Sequence, residues 1–140
     1  MRVVVFVKAT EDSEAGVAPS SELAEAMGKY NEELIKAGVM IGGDGLKPSS
    51  HGARVAFDGP RRTVTDGPFA EARELVAGFW IWEVKDMEEA KDWVRRCPNP
   101  MPGPSVIEIR PVIAIEDFGD AITPEVLAIH DRNRDMLEGR

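Results

Sequence analysis

The chain has 140 residues, 43% of them hydrophobic, with 17 basic and 25 acidic side chains and a net charge of −8. This is enough for one domain with a moderate core, and the apolar content argues against disorder. The acidic balance argues against nucleic acid and anionic membrane surfaces, which select clustered Lys and Arg, and the single cysteine, Cys97, rules out an intrachain disulfide and fits a reducing, cytoplasmic setting.

The opening "RVVVFVK" (2–8) is β-branched and apolar on both alternating faces, which predicts a central strand. It meets charge too soon for a secretory leader, and no run is long enough to span a membrane. A loop follows, "ATEDSEAGVAPS". From Ser21 the period changes: Leu23, Met27, Tyr30 and Leu34 form one stripe of an amphipathic helix, with Ser20 or Ser21 as its cap and Gly38 past its end. "VMI" (39–41) reads as a second strand running into a flexible "GGDG". Next, "ARVAF" and "RTVT" around "DGPR" predict a hairpin.

"DGPF" (66–69) then makes a turn. "AGFWIWEV" (77–84) is the strongest strand, with Phe79 and Ile81 on one face and Trp80 and Trp82 on the other. Asp86 and Glu89 start a second helix whose inner stripe is Ala90, Trp93, Val94 and Cys97, and Pro98 stops it. "SVIEIRPV" (105–112) is the last strand. Thr123 caps a terminal helix with Pro124 at its first position and a thin apolar stripe.

Without the hairpin, this order is the βαββαβ of a ferredoxin-like α+β sandwich. Residues 1–112 form the domain, and 113–140 form an extension whose helix docks on it. Both helices cover one face of the sheet. The two-faced apolar strand therefore calls for a second subunit, or the C-terminal segment, on the other.

The residues "AGV" (37–39), "GDGL" (43–46), "VTDGPFAEARE" (64–74), "GFW" (78–80), "EEAKDWVRRCP" (88–98) and "EIRPV" (108–112) carry a resemblance. By them the chain is identified as a member of the YCII-related proteins, in their DGPF-domain branch. The resemblance implies a ferredoxin-like sandwich that pairs as a homodimer of the dimeric α+β barrel type. It also implies an enzymatic role from a histidine and an aspartate in a cleft, and an association with alternative sigma factors. The aspartate maps to Asp66. The histidine position in the first helix maps to Met27, and Asp44 stands where the branch more often has glutamate.

Several side chains are candidates for chemistry. Asp66 is either a turn residue bonded to its own backbone or an acid–base carboxylate in a cleft, beside an inward-turned Phe69. His51, the only histidine of residues 1–112, is a loop residue or Asp66's partner; His130 lies among charges on the terminal helix. Arg73 either pairs with a neighbour or anchors an anionic substrate. Asp44, Asp66, Glu71 and Glu74 form either a solvated acidic surface or a hard-cation site, without a known loop motif. Cys97 reads as structural. Two functions follow. One is a small-molecule enzyme (isomerase, lyase or hydrolase) using Asp66 and His51, with Arg73, Phe69 and Asp44 binding substrate and no tightly held cofactor or metal. The other is a non-catalytic module that senses a metabolite or contacts a regulator such as a sigma factor.

Overall fold

The valine-rich opening strand β1 (Arg2–Lys8) runs antiparallel to β5 (Val76–Glu83) on one side and β6 (Ile107–Pro111) on the other. The computed structural model describes residues 1–139. Strand β2 (Met40–Gly45) completes a four-stranded antiparallel sheet in the order β2-β5-β1-β6. With a hairpin set aside, this is the ferredoxin-like arrangement. That hairpin, β3 (Ala53–Asp58) with β4 (Arg61–Asp66), forms its own two-stranded sheet. A helical turn α1 (Glu11–Glu14) sits in the loop after β1. Helices α2 (Ser21–Lys36) and α3 (Met87–Arg95) cross over between strands, and α4 (Pro124–Glu138) ends the chain.

Alternation along the strands decides the layers. Val3, Val5 and Val7 of β1 and Trp80 and Trp82 of β5 face the helices and are buried. They meet Tyr30 and Leu34 of α2 and Ala90 and Trp93 of α3 in one core. The intervening Val4, Phe6, Phe79 and Ile81 point to the helix-free face and are only half-buried. Both helices start where a short polar side chain satisfies orphan amides: Ser20 Oγ accepts from Leu23 N–H, and Asp86 accepts from Glu89 N–H. Glu89 reaches back to Lys85 N–H rather than to Asp86 N–H, so the reciprocal bond of a capping box is displaced by one residue. Thr123 caps α4, yet no residue of α4 is buried.

Two local expectations are overturned. Residues 42–45, expected as a flexible loop, are the edge strand itself, paired with Gly78 to Ile81 after a bulge at Ile41. The glycines permit an approach that a side chain would forbid. A Cβ at Gly43 would lie 2.5 Å from Phe79 O, and one at Gly78 would lie 3.2 Å from Asp44 O. The second correction concerns Phe69. It is half-buried and lies outside the core, with the Arg54 guanidinium stacked 4.0 Å from its ring centroid. The loop is held instead by a polar knot. Ser49 donates its N–H and hydroxyl to the Glu14 carboxylate, Phe69 N–H donates to Ser49 Oγ at 3.0 Å, and Gly67 N–H donates to Gly52 O at 2.9 Å. Gly67 is packed so close that a Cβ there would fall 1.8 Å from Ser49 O.

Two glycine-to-alanine substitutions should therefore act in opposite directions. Gly28 lies on the exposed surface of α2 with nothing within 4 Å of an added Cβ. Gly28→Ala is expected to raise stability by about 1 kcal/mol in urea unfolding, the usual helix-propensity gain. Gly67→Ala drives a methyl into backbone and is expected to lower it by about 1–3 kcal/mol. Equal midpoints for Gly67→Ala and wild type would show that the knot can yield at no cost.

Candidate functional site

The side chains of the core run out at one end of the sheet. There the strands offer Gly43, Gly45, Ala77 and Gly78, and α2 offers Ala24. These residues border a cavity of about 350 Å³ between α2 and the β2–β5 edge. Its larger walls are Leu23, Met27, Met40, Trp80 and Met101. Asn31 is the polar side chain of the α2 wall, and its Oδ1 accepts from Trp80 Nε1–H at 2.8 Å. Asp44 is the one ionisable residue of the lining. It stands opposite Phe79 in the β2–β5 register, which sets its side chain toward the helix-free side. Asp44 therefore meets the cavity at its rim, on the sheet edge, not at its floor. Such a site can bury a ring-sized apolar molecule and present one carboxylate to an end that protrudes.

A second, wider groove of about 1010 Å³ lies between residues 8–12, residues 71–73 and the loop 102–106. It is lined by charged Lys8, Glu11, Asp12, Glu71 and Arg73, so it is the more polar of the two spaces. Glu71 borders it with a left-handed backbone, φ 64°.

Asp66 and His51 lie apart from both spaces. Asp66 is exposed at the end of β4, opposite Ala53. His51 is exposed in the 3₁₀ turn two residues before that partner, so the hairpin register brings the two to the same end of the ribbon. No hydrogen bond joins them among the described residues, and neither borders either cavity. Arg73 faces the groove, Asp44 the cavity rim, and Phe69 the Arg54 guanidinium. Asp44, Asp66, Glu71 and Glu74 do not gather. Among the described residues no three His, Cys, Asp or Glu side chains are grouped as a metal cage would require. Reasoning from sequence missed Trp80 and Asn31 as cavity walls and Glu14 and Ser49 as the knot. The small residues on β2 and β5 were the available signal for the cavity, since facing glycines leave volume unfilled. Among the described residues no helix is long and apolar enough to cross a membrane.

A family model described as the YCII-related domain matches residues 1–116. An uncharacterised protein of Rhizobium meliloti (strain 1021) is 33% identical over 67 residues, 48% of this chain and 54% of that protein. The chain thus spans about half the length of this curated relative. Among solved structures, a 5-chloro-2-hydroxyhydroquinone dehydrochlorinase from Burkholderia phenoliruptrix AC1100, in complex with 2,5-dihydroxybenzoquinone, is 17% identical. That match covers 77% of this chain and 91% of the other at a TM-score of 0.41. Likeness at this level speaks to neither ligand nor reaction.

Behind the cavity, burial changes two protonation equilibria. Tyr30, whose hydroxyl donates to Trp93 O at 2.6 Å, is pushed well above its ordinary range, chiefly by burial, with the negative charge of an ionised Cys97 adding to the rise and Arg96 opposing it. Burial raises the Cys97 thiol from 9.0 to about 11. Sγ donates to Pro98 O at 3.2 Å, consistent with a structural thiol. A folded-state pKa above the unfolded one means that the native chain holds protons the unfolded chain releases. The stabilisation is complete below pH 9 and is lost as pH rises through 11. Melting temperature should therefore fall between pH 9 and 11, and Cys97→Ala should flatten that fall. An unchanged slope in Cys97→Ala would show that the thiol makes no contribution.

Proposed function

Because this chain belongs to the YCII-related family, we propose that it is a small-molecule enzyme that holds its ligand in the cavity beneath α2, with Asp44 as the acid–base carboxylate. The observation that carries this is the coincidence of three features in one place. An apolar space of about 350 Å³ is walled by Met27, where the resemblance would put the family histidine, and rimmed by a single ionisable residue. A thioether moves no protons at neutral pH. Acid–base work therefore falls to the Asp44 carboxylate, acting on a ligand end that passes round the β2 edge toward the helix-free side, with Trp80 and the three methionines positioning the apolar part by contact.

The same reading makes the helix-free face the contact between two copies. Val4, Phe6, Phe79 and Ile81 form its apolar centre, and Glu108 with Arg110 on β6 flank it, paired at 3.5 Å. A second reading keeps Asp66 and His51 as an acid–base pair at the base of the hairpin. Its support is the register that brings them to one end of the ribbon, opposite and just before Ala53.

Fragment binding and turnover separate these readings. Met27→Trp should fill the cavity and abolish binding of ring-sized fragments. Asp44→Asn should leave such binding nearly unchanged while lowering turnover of any substrate found by about 10²–10⁴-fold, the usual contribution of a positioned acid or base. Binding that survives Met27→Trp but is lost in Asp66→Asn and His51→Gln would move the site to the hairpin base. Turnover intact in Asp44→Asn would remove that carboxylate from the chemistry.

A further inference from the structure

Two amphipathic surfaces of the chain lack a cover. The first is the hairpin. Its register places Val55 opposite Val64 and Phe57 opposite Arg62, so these four share one face. The other face is polar and rests on the DGPF loop through the Arg54–Phe69 stack. The apolar face is open but for the Arg62 guanidinium, 4.5 Å from the Phe57 ring centroid: Phe57 is 71% and Val64 64% exposed. A two-stranded ribbon is marginal alone in water, so one with an uncovered apolar face calls for a partner surface. The second surface is α4, where Val126, Ile129 and Leu137 lie at helical spacing and all are exposed.

Charge and topology pair these two surfaces. The hairpin carries three arginines against two aspartates over residues 53–66, in a chain that is otherwise acidic. Residues 113–139 carry seven carboxylates against two arginines. By the register Arg62 and Asp66 lie on the apolar face and Arg54 and Arg61 on the other, so the complementarity is between whole segments: the hairpin is net positive and the terminal segment net negative. Within one chain they are kept apart: the hairpin leaves from the β2 edge of the sheet and the terminal segment from the β6 edge. Three strand spacings, about 14 Å, separate these edges. A second copy turned by a two-fold axis parallel to the strands, helix-free face to helix-free face, sets the β2 edge of one copy over the β6 edge of the other.

We propose that the β3–β4 hairpin is a clasp that grips the acidic C-terminal helix of a second copy of this chain, and that α4 is covered in this way rather than by its own domain. The proposal rests on the reading of the helix-free face as the contact between copies, and adds to it a reciprocal arm exchange. Each copy gives one hairpin and receives one helix, so the contact is closed and made twice.

The test is self-association of the full chain, measured by sedimentation velocity over a concentration series. Phe57→Ser and the pair Arg61→Glu with Arg62→Glu alter exposed side chains; because Arg62 also donates to Gly59 O and Arg61 O at the turn and stacks on Phe57, an unchanged circular dichroism spectrum and melting temperature check that the hairpin stays formed. Each is expected to weaken dimerisation by about tenfold or more, the scale of losing a buried aromatic or a set of charge pairs. Adding Asp135→Arg with Glu138→Arg to the charge-reversed hairpin should recover most of that loss. A dimer of unchanged affinity in both hairpin variants would overturn the clasp and leave the sheet-face contact standing. Weakening without recovery by the helix changes would overturn α4 as the occupant. A monomer at every concentration would overturn both the clasp and the sheet-face contact beneath it.

Discussion

Trp80 is held from several directions, and the shape of the cavity follows from that. Its ring meets the Tyr30 ring edge-on at 5.9 Å and tilts against Trp82 at 5.7 Å, while its Nε1–H donates to Asn31 Oδ1. Tyr30 in turn meets Trp93 at 6.5 Å and donates to that residue's carbonyl. One aromatic chain thus ties α2 through β5 to α3. Each aromatic pair adds about 0.5–1.5 kcal/mol beyond the area it buries, which is a large share of a marginal total stability. Trp82 is fully buried, and its Nε1–H has no hydrogen-bond partner among the described residues, so packing alone keeps it in place. Where this chain of rings ends, small residues begin, and the space left is the cavity. Trp80 therefore belongs to the core and to the site at once. A ligand in the cavity touches the same indole that sets the distance between helix and sheet.

The glycines of β2 extend that logic to the edge. Gly43 lets its strand come against Phe79 O and Trp80 at distances no Cβ could accept. The strand therefore pairs closely with β5, while Gly45, with nothing within 4 Å of an added Cβ, leaves open space at the cavity end. The DGPF loop is set by close approach too, but to a different end. Gly67 packs on the backbone of Ser49, which is itself bound by the Glu14 carboxylate. This knot fixes the base of the hairpin and hence the direction in which the hairpin leaves the domain. Cavity and hairpin are thus positioned by separate constraints, and a change at one need not disturb the other.

Much of the fold was legible because it depends on local periodicity. Alternation in "AGFWIWEV" separates the Trp face from the Phe79 and Ile81 face without further information. The stripe of Leu23, Met27, Tyr30 and Leu34, with Ser20 before it and Gly38 after it, fixes α2. The motifs around DGPF and "EEAKDWVRRCP" point to the family. What was not legible depends on contacts between distant segments. "GGDG" has the composition of a loop, and only pairing with β5 makes it a strand. Phe69 looks like a core anchor until Arg54, from the neighbouring hairpin, stacks on it. Asp66 and His51 stand out in the sequence because their side chains are reactive. A cavity defined by alanine, glycine and methionine does not.

On the proposed reading, ligands enter beneath α2 and rest on Trp80. It is tested most directly by nuclear magnetic resonance of the full chain with ¹³C-methyl methionine and ¹⁵N-indole labels, titrated with a panel of small aromatic and aliphatic ring compounds. Binders should shift the Trp80 indole N–H and the methyls of Met27, Met40 and Met101 together, while Met136 on α4 stays unmoved. Binders that leave those four signals in place and shift backbone amides around His51 and Asp66 would contradict it.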